Sequence, residues 1–365
     1  MKTKKASTLV TELKTKTNKK SESNKYHFRN LVFEGGGVKG IAYVGALDIL
    51  EEEGILKNIE RVAGTSAGAL VAVLVGLGYS TEELKKVLWN LNFQNFLDDS
   101  FGQIRDTQRL INEYGWYKGD FFRDLVASYI NAKTGDGEAT FKDVAEANKF
   151  RDIYLIGADL STGFSKVFSY KHTPDVKVAD AARISMSIPL FFRAINGVNG
   201  DGHIYVDGGL LDNYPIKVFD RTSYISQECN IRTTEYYDKT NELLKKKIDL
   251  DDEYVYNKET LGFRLDSKEE IESFLHPDIQ PKIKNDIKTL FSYTKALVTT
   301  LIDFQNNVHL HSDDWQRTVY IDTLGVSSVD FKISDSMKTK LVKSGSQHTI
   351  QYLNWYNNDE EKANK

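Results

Sequence analysis

Residues 30–40 read Asn30-Leu31-Val32-Phe33-Glu34-Gly35-Gly36-Gly37-Val38-Lys39-Gly40, a short apolar run stopped by a cluster of glycines. From Gly40 the apolar residues Ile41, Val44, Leu47, Ile49 and Leu50 recur at helical spacing, with Glu51-Glu52-Glu53 outside the pattern. The local order is strand, glycine turn, helix. Ile59 to Ala63 is a second short run, cut by Gly64, and Ala67 to Leu74 is apolar on every side, as a buried central helix must be. Two such units in succession predict an α/β fold with a mainly parallel sheet and helices on both faces, because parallel strands need crossover connections.

Working outward, Ser80 to Lys149 turns helical and aromatic, with Trp89, Phe93, Phe96, Phe101, Trp116, Phe121, Phe122 and Tyr129. Residues 80–149 read as a helical insertion, either a lid over a site or plain core helices. Ile153 to Ala158 returns to a buried strand, followed by the turn Ser161-Thr162-Gly163 and a short strand from Lys166 to Tyr170. Ile204-Tyr205-Val206 is a strand broken by Asp207-Gly208-Gly209, and Ser223 to Ile225 and Val319 to Ile321 read as late strands. Residues 231–315 are charged and helical in pattern.

A chain of 365 residues with 40% hydrophobic and 27% charged residues buries a real core, which excludes disorder throughout and collagen-like structure. Cys229 is the single cysteine, so no intrachain disulfide or cysteine-based zinc cluster can form, which favours a reducing compartment or a fold indifferent to redox state. A net charge of −4 supplies no electrostatic reason to bind nucleic acid. Lys2, Lys4, Lys5, Lys14, Lys16, Lys19, Lys20 and Lys25 stand against Glu12 and Glu22, interleaved with Ser, Thr and Asn. Residues 1–27 therefore read as a disordered basic tail, either simply solvated or a weak anchor for anionic lipid, 28–356 as the folded domain and 357–365 as a polar tail. The tail lacks the apolar run of a secretory signal, and the longest apolar stretch, Ala67 to Tyr79, is shorter than a bilayer span. The expectation is a cytoplasmic, peripherally membrane-associated protein, with export as an effector left open.

Three glycine-flanked motifs carry the chemistry. Gly35-Gly36-Gly37-Val38-Lys39-Gly40 lies between strand and helix, where free N–H groups make an anion site. It also fits a dinucleotide fingerprint with Glu60 about 20 residues on, but Glu60 precedes the second strand instead of ending it. Gly64-Thr65-Ser66-Ala67-Gly68 is a G-x-S-x-G on a strand-to-helix turn, which projects a serine hydroxyl clear of the sheet. A serine needs a base. His27, His172, His203, His276, His309, His311 and His348 mostly lie in polar surroundings with no turn to present them, whereas Asp207 ends an apolar strand and is followed by Gly208-Gly209. Ligands of open parallel sheets bind outside the strands' carboxyl ends, where such a turn would place Asp207.

These motifs, in this order, resemble the patatin-like phospholipases, relatives in fold of the group IV cytosolic phospholipase A2 catalytic domain. Ala158 to Gly163, Ala182 to Pro189, Leu261 to Leu265 and Arg317 to Ile321 support the resemblance, which spans about Arg29 to Trp355. It implies a three-layer α/β/α fold and hydrolysis of fatty-acyl esters, on phospholipid or lysophospholipid, through an acyl-enzyme. By matching positions, Ser66 would be the nucleophile and Asp207 its base, with the N–H groups around Gly36, Gly37 and Val38 forming the oxyanion hole. Gly35, Gly40, Gly64, Gly68, Gly208 and Gly209 would shape the turns. No metal or organic cofactor is implied. Some members are delivered into host cells and need a protein activator, which these residues leave open. An α/β-hydrolase with a Ser, His, Asp triad is the near alternative, tested by whether His309 or His311 matters. A nucleotide-binding oxidoreductase and a non-catalytic interaction protein are the distant ones.

Overall fold

Four apolar residues closed off by glycines have room for only a short strand, and Asn30–Phe33 (β1) is that strand, buried along its length. The computed structural model describes residues 26–91, 113–198, 200–248, 251–268, 287–289, 292–293, 296–297, 300–301, 313–328, 330 and 332–358. The glycine loop tightens into one 3-10 turn, Gly37–Ile41, and runs into α1 (Ala42–Glu52). The second unit repeats the plan with β2 (Arg61–Thr65), a turn at Ser66 and α2 (Ala67–Gly76). Every residue of α2 is buried, which matches its all-round apolar sequence. α3 (Thr81–Asn90) follows behind a Ser80/Glu83 capping box.

Within the expected insertion, α4 (Asp120–Thr134) puts Phe122, Val126 and Ile130 into the main core, and α5 (Phe141–Glu146) adds Phe141 and Val144. Phe93, Phe96, Phe101 and the side chain of Trp116 lie outside the described residues, as do the basic tail through residue 25 and residues 359–365.

The sheet continues with β3 (Asp152–Asp159), β4 (Phe164–Phe168), β5 (Ile195–Asn196), β6 (Ile204–Asp207), β7 (Thr260–Asp266) and β8 (Thr318–Asp322), and α6 (Val178–Ser185) falls between β4 and β5. Its order is β8-β7-β1-β2-β3-β6-β5, with β4 also paired to β3. The run from β8 to β3 is parallel, and β4, β5 and β6 are antiparallel to their neighbours. Alternation along β1 sends Leu31 and Phe33 to a face packed with α1, α2 and the final helix α8 (Asp335–Asn358). Val32, with Ala63 and Tyr154, faces the other way against Tyr214, Ile216, Phe219 and Tyr224. α7 (Glu235–Lys245) lies on that second side, where Tyr237 donates a hydrogen bond to Asp220. The result is a three-layer α/β/α arrangement.

Two strand expectations change. Ser223 to Ile225 is not a strand: Thr222–Tyr224 is a 3-10 turn. Side-chain carboxylates satisfy its amides in place of a neighbouring strand, Asp252 accepting from Ser223 N at 2.9 Å and Glu259 from Ser226 N at 3.0 Å. The strand before Asp207 exists but runs antiparallel, so Asp207 is not at the carboxyl end of a parallel strand. The segment 231–315 also holds β7, buried at every position and paired on both sides.

Candidate active site

The register of β3 brings the serine and the aspartate together. β2 pairs with Asp152 through Ile156, ending at Thr65 opposite Ile156, and the next residue of β3, Gly157, pairs with Asp207. β4 occupies the other edge of β3 over residues 155–159. β2 and β6 therefore share one edge and meet end to end, which leaves Ser66 facing Asp207. The Ser66 side chain is near enough to the Asp207 carboxylate to lower its pKa.

Ser66 adopts φ 54° and ψ −124°, a conformation that costs a residue with a Cβ about 1–3 kcal/mol. Its surroundings enforce that shape. Its amide donates to Ser185 Oγ at 3.0 Å, and a Cβ on Gly68 would come 2.3 Å from the Phe33 carbonyl oxygen, one on Gly64 2.2 Å from that of Gly68. α2 begins at the next residue, so its positive end points at the hydroxyl.

Asp207 is 2% exposed. One carboxylate oxygen accepts the Gly209 amide at 2.7 Å, and its own amide donates to the Ser187 carbonyl at 2.9 Å. Burial pushes its pKa from 3.8 up to about 7, against the smaller opposing effects of the Gly209 hydrogen bond and the Ser66 side chain. A carboxylate of that kind is a competent proton acceptor near neutral pH. Gly208 packs against β3, where a Cβ would lie 2.4 Å from the Ile156 carbonyl oxygen.

The first glycine loop closes the other side. A Cβ on Gly35 would sit 3.1 Å from the Ser66 Cβ, and one on Gly40 3.2 Å from the Ala67 Cβ. Gly37 has φ +54°, a left-handed conformation that a side chain there would strain. Among the described residues the amides of Gly36 and Gly37 meet no backbone acceptor, whereas the Val38 amide donates to the Ser328 carbonyl at 3.1 Å. Lys39 turns away from the dyad and donates to the Leu265 carbonyl at 3.0 Å. A cavity of about 150 Å³, lined by Val38, Leu70, Leu88 and Met186 among others, opens beside Ala67.

Sequence reasoning missed the groups that hold these parts in place. Asn213 accepts the Gly35 amide on its carbonyl at 3.0 Å and donates its side-chain amide to the Gly35 carbonyl at 3.2 Å. Its Oδ1 also stands 2.9 Å from where a Cβ on Gly209 would be, so it spans the glycine loop and the aspartate turn. Glu34 is fully buried, accepts the Leu265 amide at 2.6 Å and lies 3.8 Å from Arg264; burial raises its pKa against the pull of that guanidinium. Ser185 and Ser187 sit in the segment noted for its resemblance, and the short Ser-Met-Ser spacing at the end of α6 is the signal that pointed there. Asn213 and Glu34 carry no local signal beyond adjacency to the glycine motifs.

Each described histidine is engaged away from the dyad: His27 with Tyr356, His172 with Ser169, His203 with Asp159 and His348 with Ser344. His276, His309 and His311 lie outside the described residues. Glu60 sits at the amino-terminal edge of β2 beside Arg61, across the sheet from the glycine loop, which removes it as a ribose ligand.

A family model described as patatin-like phospholipase matches residues 31–220, just over half the chain. The Bacillus subtilis protein YqhO, itself uncharacterized, is 29% identical over 88% of this chain and 97% of its own length. A protein of invertebrate iridescent virus 6 described as a probable lipid hydrolase is 25% identical over 53% of this chain and 63% of its own. Among solved structures, VipD from Legionella pneumophila superposes with a TM-score of 0.55 at 16% identity, covering 90% of this chain and 67% of that one, a likeness of fold. The three motifs, the fold and the matched span agree: the chain belongs to the patatin-like phospholipase family and is, at that level, a lipid hydrolase.

Proposed function

We propose that the protein is an acyl hydrolase of the phospholipase A or lysophospholipase type, working through a Ser66–Asp207 dyad. The observation that carries this reading is the end-to-end meeting of β2 and β6, which sets a strained serine hydroxyl against a buried carboxylate whose pKa lies near 7. Ser66 Oγ bonds to the ester carbonyl carbon as its proton passes to Asp207. The oxyanion takes hydrogen bonds from the glycine loop, with the amides of Gly36 and Gly37 available to it. As the C–O ester bond breaks, Asp207 returns the proton to the leaving alcohol. Water then attacks the acyl-enzyme, Asp207 accepts its proton and passes it to Ser66, and the fatty acid is released.

The apolar cavity beside Ala67 supports an acyl chain as the group that enters. Peripheral contact with a membrane, aided by the lysines of residues 1–25, belongs to the same proposal. The test is fatty-acid release from mixed phospholipid vesicles, read by mass spectrometry, for wild type, Ser66→Ala and Asp207→Asn. Each substitution should lower the rate by at least about a thousandfold with the far-ultraviolet circular dichroism unchanged. Retained hydrolysis in folded Ser66→Ala would refute the dyad.

A further inference from the structure

We infer that the connection between β8 and α8 is an autoinhibitory strap, which holds the oxyanion loop closed by placing the Ser328 carbonyl on the Val38 amide. The inference rests on the dyad reading above, and two separate observations carry it. The first is the hydrogen bond itself. Val38 N–H belongs to the loop that must receive a developing negative charge, yet at 3.1 Å it already serves a neutral backbone carbonyl. The same oxygen is 2.0 Å from where a Cβ on Gly37 would stand, so the strap lies against the loop with no side chain between them. An ester oxyanion needs that space, and Val38 N–H is the loop's third donor beside those of Gly36 and Gly37.

The second is the size and roof of the cavity. A volume of about 150 Å³ is what a six-carbon ring fills, far less than the acyl chain of a membrane lipid. Its lining includes Ile333 and Lys338, contributed by the same connection and the first turn of α8. Moving one segment would therefore both free the donor and lengthen the cavity.

The described residues of the segment are lightly held. Leu324 and Gly325 have φ of +56° and +72° in succession, a sharp turn at its base. Beyond it, Ser327 and Asp330 are exposed and Val326, Ser328 and Ile333 only half-buried. Apart from the bond to Val38, the hydrogen bonds among its described residues are local: Leu324 N to Asp322 Oδ1 at 2.8 Å, Val326 N to the Thr323 carbonyl at 3.0 Å, Asp330 N to the Ser327 carbonyl at 3.0 Å, Lys332 N to Asp330 Oδ1 at 3.4 Å and Ile333 N to the Asp330 carbonyl at 3.3 Å, and Val326 and Ile333 pack on the main core. Segments with so few buried contacts open at low cost.

The test uses the whole chain and two loosened variants, Val326→Pro, which removes the turn hydrogen bond, and Ile333→Ser, which removes the apolar anchor. Two quantities are read: exchange of the Val38 amide, and the rate at which an alkyl fluorophosphonate labels Ser66. In labelling, the Ser66 oxygen bonds to phosphorus, fluoride leaves, and the proton passes to Asp207. Losing one hydrogen bond of ordinary net worth shifts a closed-to-open equilibrium by roughly five- to tenfold, and labelling and exchange should both accelerate by about that factor. In the wild type, Val38 should exchange more slowly than Gly37, a comparison that needs no folded variant. Equal exchange at the two amides in the wild type overturns the contact. Equal labelling rates in wild type and variants, alongside faster Val38 exchange, overturn the inhibition and leave Ser66 standing as nucleophile. No labelling of Ser66 in any of the three overturns the dyad reading and the strap's role with it.

Discussion

In the proposed mechanism, Asp207 sets the pH behaviour. Its carboxyl is raised from 3.8 to about 7 by burial, and the base must be ionised, so kcat/KM should fall as pH drops through about 7. A profile flat down to pH 5 would contradict this. The same shift has a stability consequence of opposite sense. Between about pH 4 and 7 the folded state binds the proton that the unfolded state has lost, so stability declines with rising pH across that window and levels off above it. Asp207→Asn removes the effect and should gain up to about 4 kcal/mol over wild type at pH 8 and almost nothing at pH 4, read from urea unfolding at the two pH values. Asn213 belongs to this scale too. It is a positioning residue that touches both the glycine loop and the aspartate turn. Asn213→Ala should lower kcat by about ten- to a hundredfold with KM little changed and the pH midpoint of Asp207 displaced, whereas a purely structural loss would lower the melting temperature and leave that midpoint alone.

At the scale of elements, the G-x-S-x-G turn and the all-apolar helix behind it were legible, because a strand, a glycine-flanked serine and a helix apolar on every side admit one local arrangement. The direction of β6 was not. Asp207 ends a four-residue strand whose sequence, Ile204-Tyr205-Val206-Asp207, suits either direction. Its pairing depends on β3 outrunning β2 by three residues, from Gly157 to Asp159, which gives β6 an edge to join and delivers Asp207 to the serine. The strap is a second such case. Nothing in Ser327-Ser328 marks a partner, and the contact with Val38 arises only because β8 ends beside β7 and the glycine loop.

At the scale of the molecule, the last helix locks the first. α8 crosses α1 so closely that a Cβ on Gly45 would come 1.9 Å from the Val342 carbonyl oxygen, and one on Gly345 2.0 Å from that of Ala42. Gly345→Val should therefore force the helices apart and lower stability by roughly 3 kcal/mol, measured by urea unfolding, while Ser346→Ala, at a half-buried neighbour whose hydroxyl bonds the Gly45 and Val342 carbonyls, should change it by about 1 kcal/mol or less. Distant segments are also joined by Arg317, fully buried between Asp220 and Asp314 at 2.6 Å from each. Such a triad holds β8 to the far side of the sheet but tolerates no loss of a single member.

The sequence by itself determined the fold class, the two strand, turn, helix units and the G-x-S-x-G turn, and it singled out Asp207 over the histidines as the base now proposed, because each depends on local periodicity or on glycines next to the residue concerned. The tertiary structure alone decided the antiparallel run of β6, the Asn213 bridge, the raised pKa of Asp207 and the seat of Ser328 on Val38. All four arise between residues far apart in the chain, where burial and hydrogen-bond pairing depend on which segments the sheet brings together.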